Sequence, residues 1–199
     1  MKKLFTLFAI AFLFSQTVFS QSENDVYSAR TITWFGIDYT HCYFISMADF
    51  PNLHDLVDKI RAWNSLVLTE RDKYIDKNFP GRDVLIYNDV VNARNDQIKI
   101  TDHITNDPFK SSHLDDTQVK KIISSYKIPK GKKGIGLVLI AESYSKPNVK
   151  GAYYATFFNM ATKKVLVTER MLGKPKGFGL RNYWAASINA VLKQLGKKY

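Results

Sequence analysis

The chain has 199 residues, a mass of 22.8 kDa and a formal net charge of +11, with 45% hydrophobic and 24% charged residues. This composition is typical of a globular protein and excludes a disordered chain. The longest apolar run covers residues 4–14. It is too short to cross a bilayer, which takes about 20 residues, so the sequence predicts no membrane-spanning segment.

The first predicted element is a secretory signal peptide in residues 1–20. Lys2 and Lys3 precede the apolar run, and small or polar residues lead to a cleavage site after Ser20, with cleavage after Ser22 as the alternative. The sequence therefore predicts a periplasmic or secreted protein whose mature part, residues 21–199, is a single domain. The one cysteine, Cys42, lies far beyond the cleavage site, so we expect neither a lipid anchor nor an internal disulfide.

The mature chain begins with a polar stretch, residues 21–28, that we interpret as a loose lead. Residues 31–39 and 42–45 are rich in β-branched and aromatic side chains and predict one interrupted strand or two short ones. Pro51 and Asn52 then open an amphipathic helix, with Asp49 as its candidate cap. Its apolar positions recur at spacings of three and four: Leu53, Leu56, Val57, Ile60, Trp63 and Val67.

The second half of the chain is richer in strands. Residues 84–87 and then 90–91 predict a strand, and Asp115 and Asp116 cap a helix that ends before Pro129. Residues 135–141 form an apolar run typical of a well-covered central strand. Residues 152–160 and 164–169 predict a hairpin, and a glycine-rich turn then leads into a C-terminal helix. This order predicts an α+β fold: a mixed or mostly antiparallel sheet with helices packed on one face.

Charge is unevenly distributed along the mature chain. Residues 21–119 hold 10 Lys and Arg against 16 Asp and Glu, whereas residues 120–199 hold 17 against 2. This asymmetry argues either for an anionic partner of the C-terminal part, an anionic envelope component or another envelope protein, or for two oppositely charged faces that attract each other. Lysines scattered over turns and helix faces, as these are, most often serve solubility alone. We expect no nucleic-acid partner, because an exported protein meets envelope phosphates and acidic glycans more often.

The turn before the last helix is the candidate contact site. Its glycines allow close approach, the first turn of the helix offers free N–H groups, and cations flank both. The spacing matches neither a P-loop nor a dinucleotide fingerprint, so it predicts no cofactor. The residues predicted to contact an anion or a partner are Lys174, Lys176, Gly177, Gly179 and Arg181.

Two other sets of residues carry possible chemistry. Cys42 beside His41 has the residue types of a nucleophile and its base, but neighbours on a strand point to opposite faces, which favours a buried apolar role for Cys42. A stretch rich in potential metal ligands lacks zinc or calcium spacing, so no metal site is predicted. Its members are Asp102, His103, Asp107, His113, Asp115 and Asp116.

Three segments resemble known families. Residues 31–38 (TITWFGID) and 177–184 (GFGLRNYW) resemble a family of small exported bacterial proteins of uncharacterised function. The hairpin at residues 157–166 is similar to the strand, Asp-x-x-Thr-Gly, strand pattern of TolB N-terminal-like envelope domains, with Asn159 in place of Asp and Lys163 in place of Gly. The resemblance implies an α/β sandwich-like envelope domain and carries over no functional residue.

Three hypotheses about function follow. The leading one is a non-enzymatic accessory or binding protein of the bacterial envelope, because the chain has neither a Gly-x-Ser-x-Gly elbow nor a His-Glu-x-x-His motif. The alternative is an exported hydrolase whose site is assembled from distant residues, with His41 or His113 beside an aspartate. The third is a structural subunit that self-assembles through its oppositely charged halves.

Overall fold

The computed structural model describes residues 22–199, so the expected signal peptide lies outside the described residues. The helices are α1 (Glu23–Ser28), α2 (Leu53–Thr69), α3 (Asp89–Asn95), α4 (Asp116–Ser124) and α5 (Leu180–Lys198). The strands are β1 (Thr31–Asp38), β2 (Tyr43–Ile45), β3 (Asp83–Ile86), β4 (Ile104–Thr105), β5 (Ile135–Ser145), β6 (Lys150–Asn159) and β7 (Val165–Gly173). Among these residues no helix is long and apolar enough to cross a membrane.

The described strands form one seven-stranded sheet around β5. β1 and β2 lie one after the other along the same side of β5, as one strand interrupted at residues 39–42, and both run parallel to it. β3 adds to β1 and β4 adds to β2, again in parallel. On the other side of β5, β6 and then β7 pair in antiparallel fashion.

The expected fold class, α+β with a mixed or mostly antiparallel sheet and helices on one face, is wrong. The chain has an α/β fold with a mostly parallel sheet, since four of the six ladders in the described residues are parallel. Parallel neighbours need long crossovers, and the helices before β5 supply them. The antiparallel run of β5, β6 and β7 is local in sequence and led the sequence-based interpretation to the wrong class.

Helices cover both faces of the sheet. α2 and α5 pack on one face, where Trp34, Trp63 and Trp184 are all fully buried. α3 and α4 pack on the other face, against Phe35. β5 serves both cores, because Leu137 and Leu139 point to the first and Val138 and Ile140 to the second. The prediction of a well-covered central strand is thereby confirmed.

Three local predictions fail. Residues 23–28, expected to be a loose lead, form α1. Val90 and Val91, expected to continue a strand, lie in α3, a helix of 7 residues whose buried positions are too few to show a helical period. Asn52, not Asp49, caps α2, because its side chain accepts a hydrogen bond from the backbone N–H of Asp55 at 3.1 Å.

The strand registers bring four chain segments to one edge of the sheet. The final residues of β2, β4 and β5, which are Ile45, Thr105 and Ser145, lie in adjacent register positions. β7 runs parallel to β5, and its final residue, Gly173, pairs with the start of β6 at the same level. We call this the carboxyl edge. The segments that leave it hold the predicted contact residues.

Candidate functional site

The five predicted contact residues lie on or next to one exposed loop of the carboxyl edge. This loop, residues 174–179, joins β7 to α5, and we call it the β7–α5 loop. Gly177 and Gly179 adopt φ angles of 100° and 73°, a region that glycine enters readily and side chains rarely do. Lys174, Lys176 and Arg181 are exposed, and none of them forms an ion pair with a described carboxylate.

Two contacts hold the base of this loop in place. The backbone N–H of Lys176 donates to the carbonyl oxygen of Tyr183 at 3.3 Å, which ties the loop to the first turn of α5. The indole N–H of Trp63, on α2, donates to the carbonyl oxygen of Arg181 at 2.9 Å. Because Trp63 is fully buried in the core, the first turn of α5 is anchored to the scaffold.

Sequence reasoning missed two members of this surface. Phe178, at the tip of the β7–α5 loop, is 95% exposed. Lys146, in the turn between β5 and β6, lies over the ring of Tyr183 with its Nζ 4.4 Å from the centroid, a cation–π contact. A phenylalanine between two glycines in a basic turn is a sequence signal for an exposed aromatic tip. The position of Lys146 depends on the fold and has no such signal.

Other apolar side chains are exposed on segments that leave the same edge. Met47, which follows β2, is 55% exposed, and Phe109, which follows β4, is 86% exposed. The backbone N–H of Met47 donates to Oδ1 of Asn106 at 2.9 Å, so these two segments are in contact. Single exposed apolar residues are ordinary, whereas several on one edge call for an explanation.

A second polar cluster lies where the parallel strand breaks between β1 and β2. Asp38 is fully buried, and its Oδ2 accepts from Nε of Arg94 at 3.1 Å and from the hydroxyl of Tyr126 at 2.8 Å. Its Oδ1 accepts from the backbone N–H and hydroxyl of Thr40, at 2.9 and 2.5 Å. A buried carboxylate with this many donors is compensated, so the cluster first of all joins α3 and the end of α4 to β1.

His41 lies beside this cluster. Its pKa is lowered below 6.5 chiefly because burial disfavours the imidazolium; Asp38 opposes this change, whereas the nearby charges of Arg94, His103 and His113 add to it. The ring is therefore neutral at neutral pH. Arg94 also lines two adjoining pockets, of about 280 and 350 Å³, and His103 lines the first of them.

Two of the other histidines, His103 and His113, are held by backbone carbonyls. Nδ1 of His103 donates to the carbonyl oxygen of Cys42, and Nδ1 of His113 donates to that of Lys110, both at 2.9 Å. The described residues contain no group of three His, Cys, Asp or Glu placed to hold a metal ion. Two aspartates of the same stretch cap helical turns: Asp107 accepts from the N–H of Phe109 at 2.9 Å, and Asp115 from that of Gln118 at 2.7 Å.

Cys42 is an apolar core residue. Its side chain is fully buried, and burial raises the pKa of its thiol well above the usual value, with the nearby Glu142 carboxylate adding to the effect. A thiol with a raised pKa and no access to solvent is a poor nucleophile. The interpretation of Cys42 as a buried residue is confirmed.

Comparison with known proteins adds no relative. No family model matches the chain, and neither the curated proteins nor the solved structures contain a match. The resemblance to small exported proteins and to TolB N-terminal-like domains therefore stays a prediction.

Proposed function

We propose that this protein is an exported, non-enzymatic accessory protein of the bacterial envelope that binds an anionic component of that envelope through its carboxyl edge. The observation that carries the proposal is Phe178, which is 95% exposed at the tip of a loop whose other long side chains are Lys174 and Lys176. An exposed aromatic ring gains by leaving water, and the surrounding ammonium groups select a negatively charged surface.

An anionic lipid surface suits this edge best. The exposed apolar side chains stand on segments that follow three different strands, which fits a broad surface more readily than a narrow groove. The nearby lysines come from three segments as well: Lys110, Lys146, Lys174 and Lys176. Lysines close to an anionic membrane contribute about 1 kcal/mol each, and an inserted ring adds its own transfer energy.

Vesicle sedimentation tests this proposal with the mature chain. We expect more protein to sediment with vesicles of phosphatidylcholine and phosphatidylglycerol than with phosphatidylcholine alone, and less at high salt. Phe178→Ser and the pair Lys174→Glu with Lys176→Glu should each lower the bound fraction at least about threefold. These positions are exposed, so the variants should fold.

Matched controls distinguish binding through the carboxyl edge from non-specific hydrophobic or electrostatic association with vesicles. Leu85→Ser removes a 50% exposed apolar side chain from β3, and the pair Lys130→Glu with Lys133→Glu changes the same net charge in the exposed turn before β5. Both should leave sedimentation unchanged. Equal losses in controls and edge variants, or no sedimentation with anionic vesicles, would contradict the proposal. Phe178-dependent retention by whole envelope fragments but not by vesicles would contradict the lipid as the component and favour an envelope protein.

An exported hydrolase centred on His41 is the second candidate. The observation in its favour is that His41, which is half-buried, lies near the fully buried Asp38 and beside pockets lined by Arg94. It ranks second because both oxygens of Asp38 already accept hydrogen bonds from Thr40, Arg94 and Tyr126. Hydrolysis of nitrophenyl esters or phosphates that is lost in His41→Gln would support it. A rate equal to that of buffer would rule it out for these substrates.

A further inference from the structure

The far end of α5 contributes to a second basic region, away from the carboxyl edge. A pocket of about 300 Å³ opens between this end of the helix and the segment that follows α2, which contains a π-helical turn over Asp72–Asp76. We call it the lysine pocket, because four lysines line it: Lys73, Lys77, Lys193 and Lys197. Sequence reasoning did not single out any of these residues.

The four lysines form two pairs of like charges, each with a spacing of four residues. Lys73 and Lys77 are four positions apart, and so are Lys193 and Lys197 on α5. Like charges at this spacing on a helix repel each other and destabilise it. Lys73 has a partner, since its Nζ lies 2.8 Å from Oε2 of Glu70. The other three form no ion pair with any described carboxylate, so the pocket keeps a positive charge.

Two asparagines at the pocket supply neutral polar groups. Asn78 is almost fully buried, and its Nδ2 donates to the carbonyl oxygen of Tyr74 at 2.9 Å and to Oδ1 of Asn189 at 3.0 Å. Because the oxygen of Asn189 is occupied in this way, its amide N–H groups remain as donors, and no described residue accepts from them. Asn189 precedes Lys193 by four positions, so it shares the lysine-bearing face of α5.

Close backbone packing fixes the shape of this pocket. A Cβ at position 196 would overlap the carbonyl oxygen of Asn78, so only glycine lets α5 approach the turn at residues 78–80 this closely. Asn78 and Gly196 both line the pocket. The lysines of the pocket therefore extend from two segments whose relative position is fixed by close backbone packing.

We infer that the lysine pocket binds a small ligand with two phosphate groups. Ammonium groups bind phosphate as point charges, and three unpaired lysines match the charge of a diphosphate better than that of a single carboxylate. The volume lies at the lower end of the range for small-molecule sites, which suits a compact anion. Two phosphate groups on a compact ligand occur in free inorganic pyrophosphate and in the bisphosphorylated sugar headgroups of envelope lipids.

Calorimetric titration of the mature chain with inorganic pyrophosphate, and separately with an acyl-free sugar bisphosphate, tests the inference. The pair Lys193→Glu with Lys197→Glu should weaken binding by at least about tenfold, since it reverses two of the cations that meet the ligand. Asn189→Leu should weaken it by a smaller factor. Tighter binding of pyrophosphate would identify a free anion as the ligand, and tighter binding of the sugar bisphosphate would identify a headgroup.

The pair Lys130→Glu with Lys133→Glu, in the exposed turn before β5, is a control that carries the same change in net charge. It should bind like the original chain. If it weakens binding as much as the pocket variant does, the anion responds to net charge only and the inference is wrong. Absence of binding for both probes would overturn it as well. Neither probe forms a membrane, so failure here leaves the proposal for the carboxyl edge unaffected, and the reverse also holds.

Discussion

The charged groups of this protein divide into two kinds of region. At the break between β1 and β2, a fully buried carboxylate, Asp38, accepts hydrogen bonds from four donor groups of three residues, Thr40, Arg94 and Tyr126. At the carboxyl edge and in the lysine pocket, most of the cations are exposed and lack a carboxylate partner. A compensated buried charge fixes the fold, whereas an uncompensated exposed charge is available to a ligand.

Arg94→Met should produce the largest effect on stability. It leaves the carboxylate of Asp38 buried without its cation, and loss of one partner from a buried pair costs about 3 kcal/mol or more of unfolding free energy. Urea unfolding followed by circular dichroism measures the change. Arg61→Met is the matched control, because its pair with Asp96 is half exposed and contributes less than about 1 kcal/mol. Equal losses in the two variants would contradict the division between buried and exposed charge.

Tyr144→Phe should have the next largest effect. The hydroxyl of Tyr144 lies 2.9 Å from that of Tyr39 and 3.0 Å from that of Tyr153, which in turn lies 2.8 Å from Oγ of Ser187. Removing the middle hydroxyl leaves buried polar groups unpaired, at a cost of about 1 to 3 kcal/mol in unfolding free energy. Tyr43→Phe, at a half-buried site outside this chain of hydroxyls, is the control in the same urea experiment and should be close to neutral.

The same hydroxyls predict instability at alkaline pH. Burial raises the pKa values of Tyr39, Tyr144 and Tyr153 well above 10, so the folded state keeps protons that the unfolded chain loses. Their contribution to stability is intact below pH 10 and is lost as the pH rises above it. Titration of tyrosinate absorbance should show these three groups ionising only together with unfolding. Ionisation of all tyrosines in the intact fold would contradict the buried network.

His41 predicts a smaller dependence on pH in the acid range. Because its folded pKa is lowered, the unfolded chain binds a proton more readily, and stability falls as the pH drops below 6.5. In His41→Gln, urea midpoints between about pH 7 and pH 5 should decline less than in the original chain. His54→Gln, at an exposed position on α2, should reproduce the original decline. Identical profiles for all three proteins would contradict the partial burial of His41 beside Arg94.

Sequence patterns predicted the elements better than their arrangement. The apolar spacing of α2 and the cap at Asp115 are local signals, and both are confirmed. Strand direction depends on partners far away in the chain, so the parallel pairing of β1 with β5 left no local signal. The same limit applies to sites. Arg94 and Tyr126 reach Asp38 across 56 and 88 positions, and α5 meets the turn after α2 only in the folded chain.

The smallest expected effect on stability concerns the exposed lysines of the carboxyl edge and of the lysine pocket. The pair Lys174→Glu with Lys176→Glu and the pair Lys193→Glu with Lys197→Glu should each change the unfolding free energy by less than about 0.5 kcal/mol, as surface substitutions usually do. Urea unfolding at two salt concentrations measures both. A loss as large as that in Arg94→Met would mean that these lysines serve the fold, and both binding proposals would lose their basis.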